Sequence, residues 1–145
     1  MSDRKIVITH EGVDYYGQVG VIKSTMFGYE DHGILTAYLH FNGDGWGVAV
    51  GGYCLDVPGE KLENVYPTER VGTAYGLDHL MALMAVVGVS RWEDLPGKQA
   101  IVLYTDPLPW GSAAVGIAHA TDEKRVLILA NHAQAWKDRT EAVSR

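Results

Sequence analysis

Hydrophobic and polar positions alternate most regularly between Phe27 and Cys54. In Ile34-Leu-Thr-Ala-Tyr-Leu-His-Phe41 the residues Leu35, Ala37, Leu39 and Phe41 share one face, and Thr36, Tyr38 and His40 share the other. That two-residue period belongs to a half-buried strand. Asn42-Gly-Asp-Gly45 follows, then Trp46-Gly-Val-Ala-Val-Gly-Gly-Tyr-Cys54, so the stretch predicts a β-hairpin with a tight Asn/Gly/Asp/Gly tip. Gly51-Gly52 inside the second strand predicts a bulge or a close approach of ligand or backbone.

The same pattern places strands at Lys5–Thr9, at Asp14–Val19 continuing through Val19–Met26, and at Gln99–Thr105, Ala113–Ala120 and Arg125–Ala130. Asp56 to Gly72 reads as an irregular surface connection, and Asp106 to Gly111 as a stiff loop. The period changes to that of a helix over Thr73–Val87, where Leu77, Leu80, Met81, Met84 and Val87 form a stripe expected to face the sheet and Gly88 a natural stop. Ser90-Arg-Trp-Glu93 has the spacing of a capping box before a single turn. The tail Ala133–Ala142 has helical propensity with a weak apolar stripe, Ala133 and Trp136, and is expected either to dock on another chain or to fray. The expected class is α+β: one domain over residues 1–145, mainly antiparallel sheet, with one long helix, a short helical turn and a C-terminal helix.

Composition narrows the function without naming it. The chain has 145 residues, 47% hydrophobic and 21% charged, which matches an ordinary globular domain. A net charge of -6 disfavours binding along duplex nucleic acid, where affinity comes from cations neutralising successive phosphates. No apolar run reaches the length of a membrane span, and the charged start Met-Ser-Asp-Arg-Lys does not open a signal peptide, so a cytoplasmic protein is expected. The single cysteine, Cys54, cannot form an internal disulfide and reads as a small buried hydrophobe.

Candidate chemistry is sparse. Asp31-His32, His40 and Asp78-His79 lack a recognised metal-ligand spacing, and His79 reads as a half-exposed packing residue. Cys54 is not on a strand-to-helix elbow, and Glu30-Asp31 reads as a pair of solvated neighbours. The glycines form neither a dinucleotide fingerprint nor a phosphate loop. No cofactor is expected. The clearest anion signal is Arg70-Val-Gly-Thr-Ala-Tyr-Gly76, where backbone N–H groups at a helix start, the Thr73 hydroxyl and the Arg70 fork suit a phosphate. The plainer reading of the same residues is a Thr cap beside a solvated Arg. Trp46, Tyr53 and Tyr75 can stack a base, and Lys23 or Arg125 can supply a further cation.

The order Lys23-Ser-Thr, Tyr29-Glu-Asp-His-Gly-Ile-Leu-Thr-Ala-Tyr-Leu-His-Phe41, Gly-Gly-Tyr-Cys-Leu-Asp56, Arg70-x-Gly-Thr-Ala-Tyr-Gly76 and Gly88-Val-Ser-Arg-Trp-Glu-Asp-Leu-Pro-Gly-Lys98 resembles a group of small bacteriophage proteins, and within it the anti-Thoeris sponges that sequester cyclic ADP-ribose signals. The resemblance implies an antiparallel sheet with a few helices, assembly into dimers or larger homo-oligomers, and a cyclic nucleotide held without cleavage in the host cell cytoplasm. The expected ligand-binding residues are Arg70, Thr73, Tyr75, Lys23, Trp46 and Tyr53, with no catalytic residue. Two rivals stand beside that reading: a small enzyme that hydrolyses a nucleotide signal through His32 or Asp31, and an acidic inhibitor that binds a host defence protein.

Overall fold

The computed structural model describes residues 4–30, 33–59, 70–108 and 113–143. Its centre is a long strand, β2 (Val13–Glu30), which pairs antiparallel with three others. β1 (Ile6–His10) pairs with its first residues and β3 (Ile34–Gly43) with its last. Both lie along one edge, because β7 (Gln99–Tyr104) takes the opposite edge at the residues where the two ladders meet. The expected pair of strands from Asp14 to Met26 is thus one continuous strand. β4 (Trp46–Gly51) closes the hairpin on β3 with Gly43 opposite Trp46, and β8 (Gly116–His119) and β9 (Val126–Ile128) extend the sheet beyond β7.

Two helices complete an α+β fold that is mainly antiparallel sheet. α1 (Ala74–Val87) is capped by Thr73 and stopped by Gly88, whose φ of 97° is left-handed backbone that glycine adopts without strain. α2 (Leu129–Val143) begins directly after β9 and is one residue longer than α1, so the C-terminal helix is no minor appendage. A 3-10 turn, Trp92–Asp94, occupies the predicted single turn, but its cap residue is Arg91 with no side-chain cap bond, so the Ser90 capping box does not form. The turn is held instead by Trp92, whose Nε1 donates to Thr25 Oγ1 at 3.1 Å.

The connection after Cys54 is more ordered than its composition predicts. β5 (Asp56–Pro58) and β6 (Arg70–Gly72) pair antiparallel as a small second sheet, while residues 60–69 lie outside the described residues. Asp31, His32 and the second half of the predicted Asp106–Gly111 loop, from residue 109 on, also lie outside the described residues.

The core divides along β7, where every residue after Gln99 is buried. Ala100, Val102 and Tyr104 face the helix side with Leu39, Phe41, Leu83, Val86 and Leu95. Ile101 and Leu103 face the other side with Ile8, Tyr15 and Ala118. Successive side chains of a strand point to opposite faces, so an all-apolar strand with both faces covered is the expected solution. Among the described residues no helix is long and apolar enough to cross a membrane.

The stripe predicted to bury α1 is displaced. Leu77 and Met81 are exposed, Leu80 and Met84 are half-buried, and the inner face is Gly76, His79, Leu83, Val86 and Val87. One residue of displacement is about 100° of helix rotation. The cause is Gly76: a Cβ there would stand 2.2 Å from the Leu55 carbonyl oxygen, so the helix seats its bare backbone against the chain entering β5.

Candidate functional site

The hairpin ends by folding its backbone onto itself. Gly51 and Gly52 both have positive φ, and a Cβ on Gly51 would stand 2.6 Å from the Ala37 carbonyl oxygen. The predicted close approach is to backbone. This kink delivers Tyr53, Cys54 and Asp56 to the start of α1.

Asp56 is buried and fully engaged. Its carboxylate accepts from Arg70 Nε and Nη2, both at 2.9 Å, and from the Leu35 N–H at 3.1 Å. Arg70 and Asp56 are diagonal neighbours on the β5–β6 ladder, within reach of a long side chain. The guanidinium holds the Asp56 carboxyl below its usual range, against the opposing effect of burial. Arg70 therefore directs its fork into the protein and is neither a solvated neighbour nor an open phosphate clamp. Thr73 is equally occupied: its hydroxyl accepts from the Gly76 N–H at 2.8 Å and donates to the Leu55 carbonyl at 3.0 Å.

On the other side of the first turn of α1, aromatic and imidazole rings gather. His79 is fully buried rather than half-exposed, with Tyr53, Tyr75 and His132 rings centred 5.9, 5.8 and 6.0 Å away. Neither of its ring nitrogens has a hydrogen-bond partner, and the Tyr75 hydroxyl and His132 Nδ1 are also buried without one. Burial pushes the His79 pKa down to about 4 and the Tyr75 pKa up to about 12, because both charged forms would lose solvent. Asp78 fastens α2 to α1: its Oδ2 meets His132 Nε2 at 2.8 Å and accepts from Trp136 Nε1 at 2.9 Å. Those two donors hold the Asp78 carboxyl below its usual range, Trp136 first. The tail expected to dock on another chain or to fray thus docks on its own.

Between these elements runs a groove of about 710 Å³. One wall is Cys54, Val57, Thr73, Ala74 and Tyr75; the other is α2, with Ala133, Trp136, Lys137, Thr140 and Glu141. This volume is typical of small-molecule sites. Cys54 is exposed in this wall rather than buried, its thiol donating to the Asp56 carbonyl at 3.0 Å.

The six expected binding residues do not form one site. Thr73 and Tyr75 line the groove, while Arg70 lies against Asp56 and Tyr53 against His79. Lys23 lines a shallower groove of about 450 Å³ with His40 and Asn42, on the β2–β3–β4 part of the sheet. Trp46 lies over Gly43 and Gly20, whose missing side chains make room for its indole, and packs on the core. The sequence marked Trp136 only as part of the tail's apolar stripe, and did not mark Lys137 or His132 at all. The available signal was the four-residue spacing of His132 and Trp136, which sets both on one side of a helix. Among the described residues no three His, Cys, Asp or Glu side chains are grouped to hold a metal ion. Comparison of the chain with protein-family models, with curated proteins and with solved structures returns no match, so a functional reading has to come from this groove.

Proposed function

We propose that this chain binds a small cyclic nucleotide signal of the cyclic ADP-ribose type and sequesters it without cleavage, as a phage anti-defence protein acting in the host cytoplasm. The observation that carries the reading is the groove itself, with Tyr75 on one wall and Trp136 and Lys137 on the other. A purine has two apolar faces and a polar edge, which suits aromatic walls, and its phosphates suit a cation at the rim. Assembly into a homo-oligomer belongs to the same reading.

Isothermal titration calorimetry with cyclic ADP-ribose, linear ADP-ribose and a cyclic dinucleotide tests it. Binding is expected for a cyclic ligand, and Trp136→Ala should weaken it about 5- to 150-fold, the range of one stacked base. Mass spectrometry of ligand released by heating should recover it intact. Absence of binding to all three nucleotides sinks the proposal, and a cleaved product moves the protein to the enzyme class.

A further inference from the structure

Three neighbouring rings beneath the groove carry buried polar atoms without a hydrogen-bond partner: the Tyr75 hydroxyl, both nitrogens of His79 and Nδ1 of His132. Their centres lie 5.5 Å apart for Tyr75 and His132, 5.8 Å for Tyr75 and His79, and 6.0 Å for the two imidazoles. His79 is 0% exposed. A buried lone pair without a donor costs free energy, and several side by side are what one cation with several ligands relieves. We propose that His79, His132 and Tyr75 form a binding site for one divalent transition-metal ion of the zinc or copper type.

The separations suit a shared ion. A metal about 2.0 to 2.1 Å from an imidazole nitrogen stands roughly 3.2 Å from the ring centre, so two imidazoles on one ion have centres about 5 to 6.4 Å apart, depending on the angle at the metal. The two histidine rings fall inside that range. Tyr75 and His79 are four residues apart on α1 and therefore share one side of it. α1 thus offers two donors, and α2 brings His132 across to them as the third.

The outer partners are those of a ligating histidine. Asp78 Oδ2 meets His132 Nε2 at 2.8 Å, which assigns the ring proton to Nε2 and leaves a lone pair on the buried Nδ1. Trp136 Nε1 donates to the same carboxylate oxygen at 2.9 Å and holds it in place. Metal-bound imidazoles commonly hand their second N–H to a carboxylate, which fixes the tautomer and the ring orientation. Here that carboxylate also offsets part of the ion's charge.

The donors select the ion. Imidazole suits zinc, copper and nickel, whereas calcium and magnesium need oxygen ligands in a number this cluster lacks. Because its third donor is a phenol, the cluster is not a group of three His, Cys, Asp or Glu side chains. Tyr75 also lines the groove, which supplies the entry path such a site requires. In the metal-free chain the same rings stay neutral and unpartnered. The proposal does not depend on which nucleotide the groove takes.

Equilibrium dialysis of the chelator-treated full chain against Zn²⁺, Cu²⁺ and Mg²⁺ separately, with bound metal counted by elemental analysis, tests the site. One zinc or one copper per chain is expected, and no magnesium. His79→Leu should weaken zinc binding more than about 100-fold, beyond the 10- to 100-fold typical of losing an outer partner. Copper-loaded wild type should show a visible phenolate-to-copper charge-transfer band, and Tyr75→Phe, which keeps the ring, should remove it. His10→Ala, away from the cluster, should bind both ions as wild type does. If circular dichroism shows His79→Leu misfolded, the copper band and its loss in Tyr75→Phe decide alone. A wild type that takes up neither zinc nor copper stoichiometrically overturns the proposal, as does equal uptake of magnesium. So does zinc binding that survives in a folded His79→Leu chain, or copper bound without a band that depends on Tyr75.

Discussion

Two buried polar clusters flank the first turn of α1, and they are built on opposite terms. At Asp56 both carboxylate oxygens are taken, by a guanidinium fork and a backbone N–H. At His79 neither ring nitrogen has a partner, although the side chain is just as inaccessible. The first cluster is a lock: ion and counter-ion left water together, and removing either strands the other. The second carries an uncompensated desolvation cost and keeps its imidazole neutral. One region thus binds the β5–β6 ladder to the sheet, and the other leaves a weak point beneath the groove that becomes weaker as protons become available.

The largest expected effect comes from breaking the lock. Asp56→Ala should lower the free energy of unfolding in urea by about 3 kcal/mol, the lower end for a broken buried pair because Arg70 keeps some access to water. Arg70→Ala should be destabilising for the mirror-image reason, since it leaves the buried carboxylate alone. An Asp56→Ala chain as stable as wild type would erase the contrast between the clusters.

The second effect is a pH dependence, and its sign follows from His79. In the unfolded chain the imidazole takes up a proton near pH 6.5, but in the folded protein only near 4. Between those values the unfolded state binds more protons, so stability falls as pH falls through this window, by on the order of 2–3 kcal/mol. The Asp56 and Asp78 carboxyls are lowered groups too, but their contribution is present above the ordinary carboxylate value of 3.8 and is lost below it. His79→Leu should therefore be at least as stable as wild type at pH 7 and increasingly more stable toward pH 4. Parallel pH profiles of wild type and variant would refute the assignment of this window to His79.

The smallest effect sharpens the boundary between lock and groove. Cys54 donates to the Asp56 carbonyl from the exposed side and accepts from Arg70 Nη2 at 3.5 Å, so its loss removes only weak sulfur bonds at the rim of the lock. Cys54→Ala should change stability by less than about 0.5 kcal/mol, as surface substitutions do. Thermal unfolding of that variant checks it, and a loss as large as that of Asp56→Ala would make the thiol part of the lock.

Local rules read part of this molecule directly from its residues. The β3–β4 hairpin follows from strict alternation and an Asp44-Gly45 tip, and α1 from a Thr cap and a Gly stop, because each depends on groups a few residues apart. The Gly51-Gly52 approach was legible for the same reason. The candidate site was legible only at Thr73 and Tyr75.

What remained belongs to contacts between distant residues. In a helix apolar on all sides, periodicity cannot decide which side turns inward; the fit of Gly76 against Leu55 decides it, and leaves Leu77 and Met81 outside. Nor can composition pair Arg70 with Asp56 or bring Asp78 to His132 and Trp136, because those bonds form only after separate elements have packed. Sequence by itself determined the β3–β4 hairpin and the two ends of α1, since their free energies are local. Tertiary structure alone decided which polar groups find partners under burial and which rings face the groove, since desolvation and charge pairing depend on what the whole chain brings into contact.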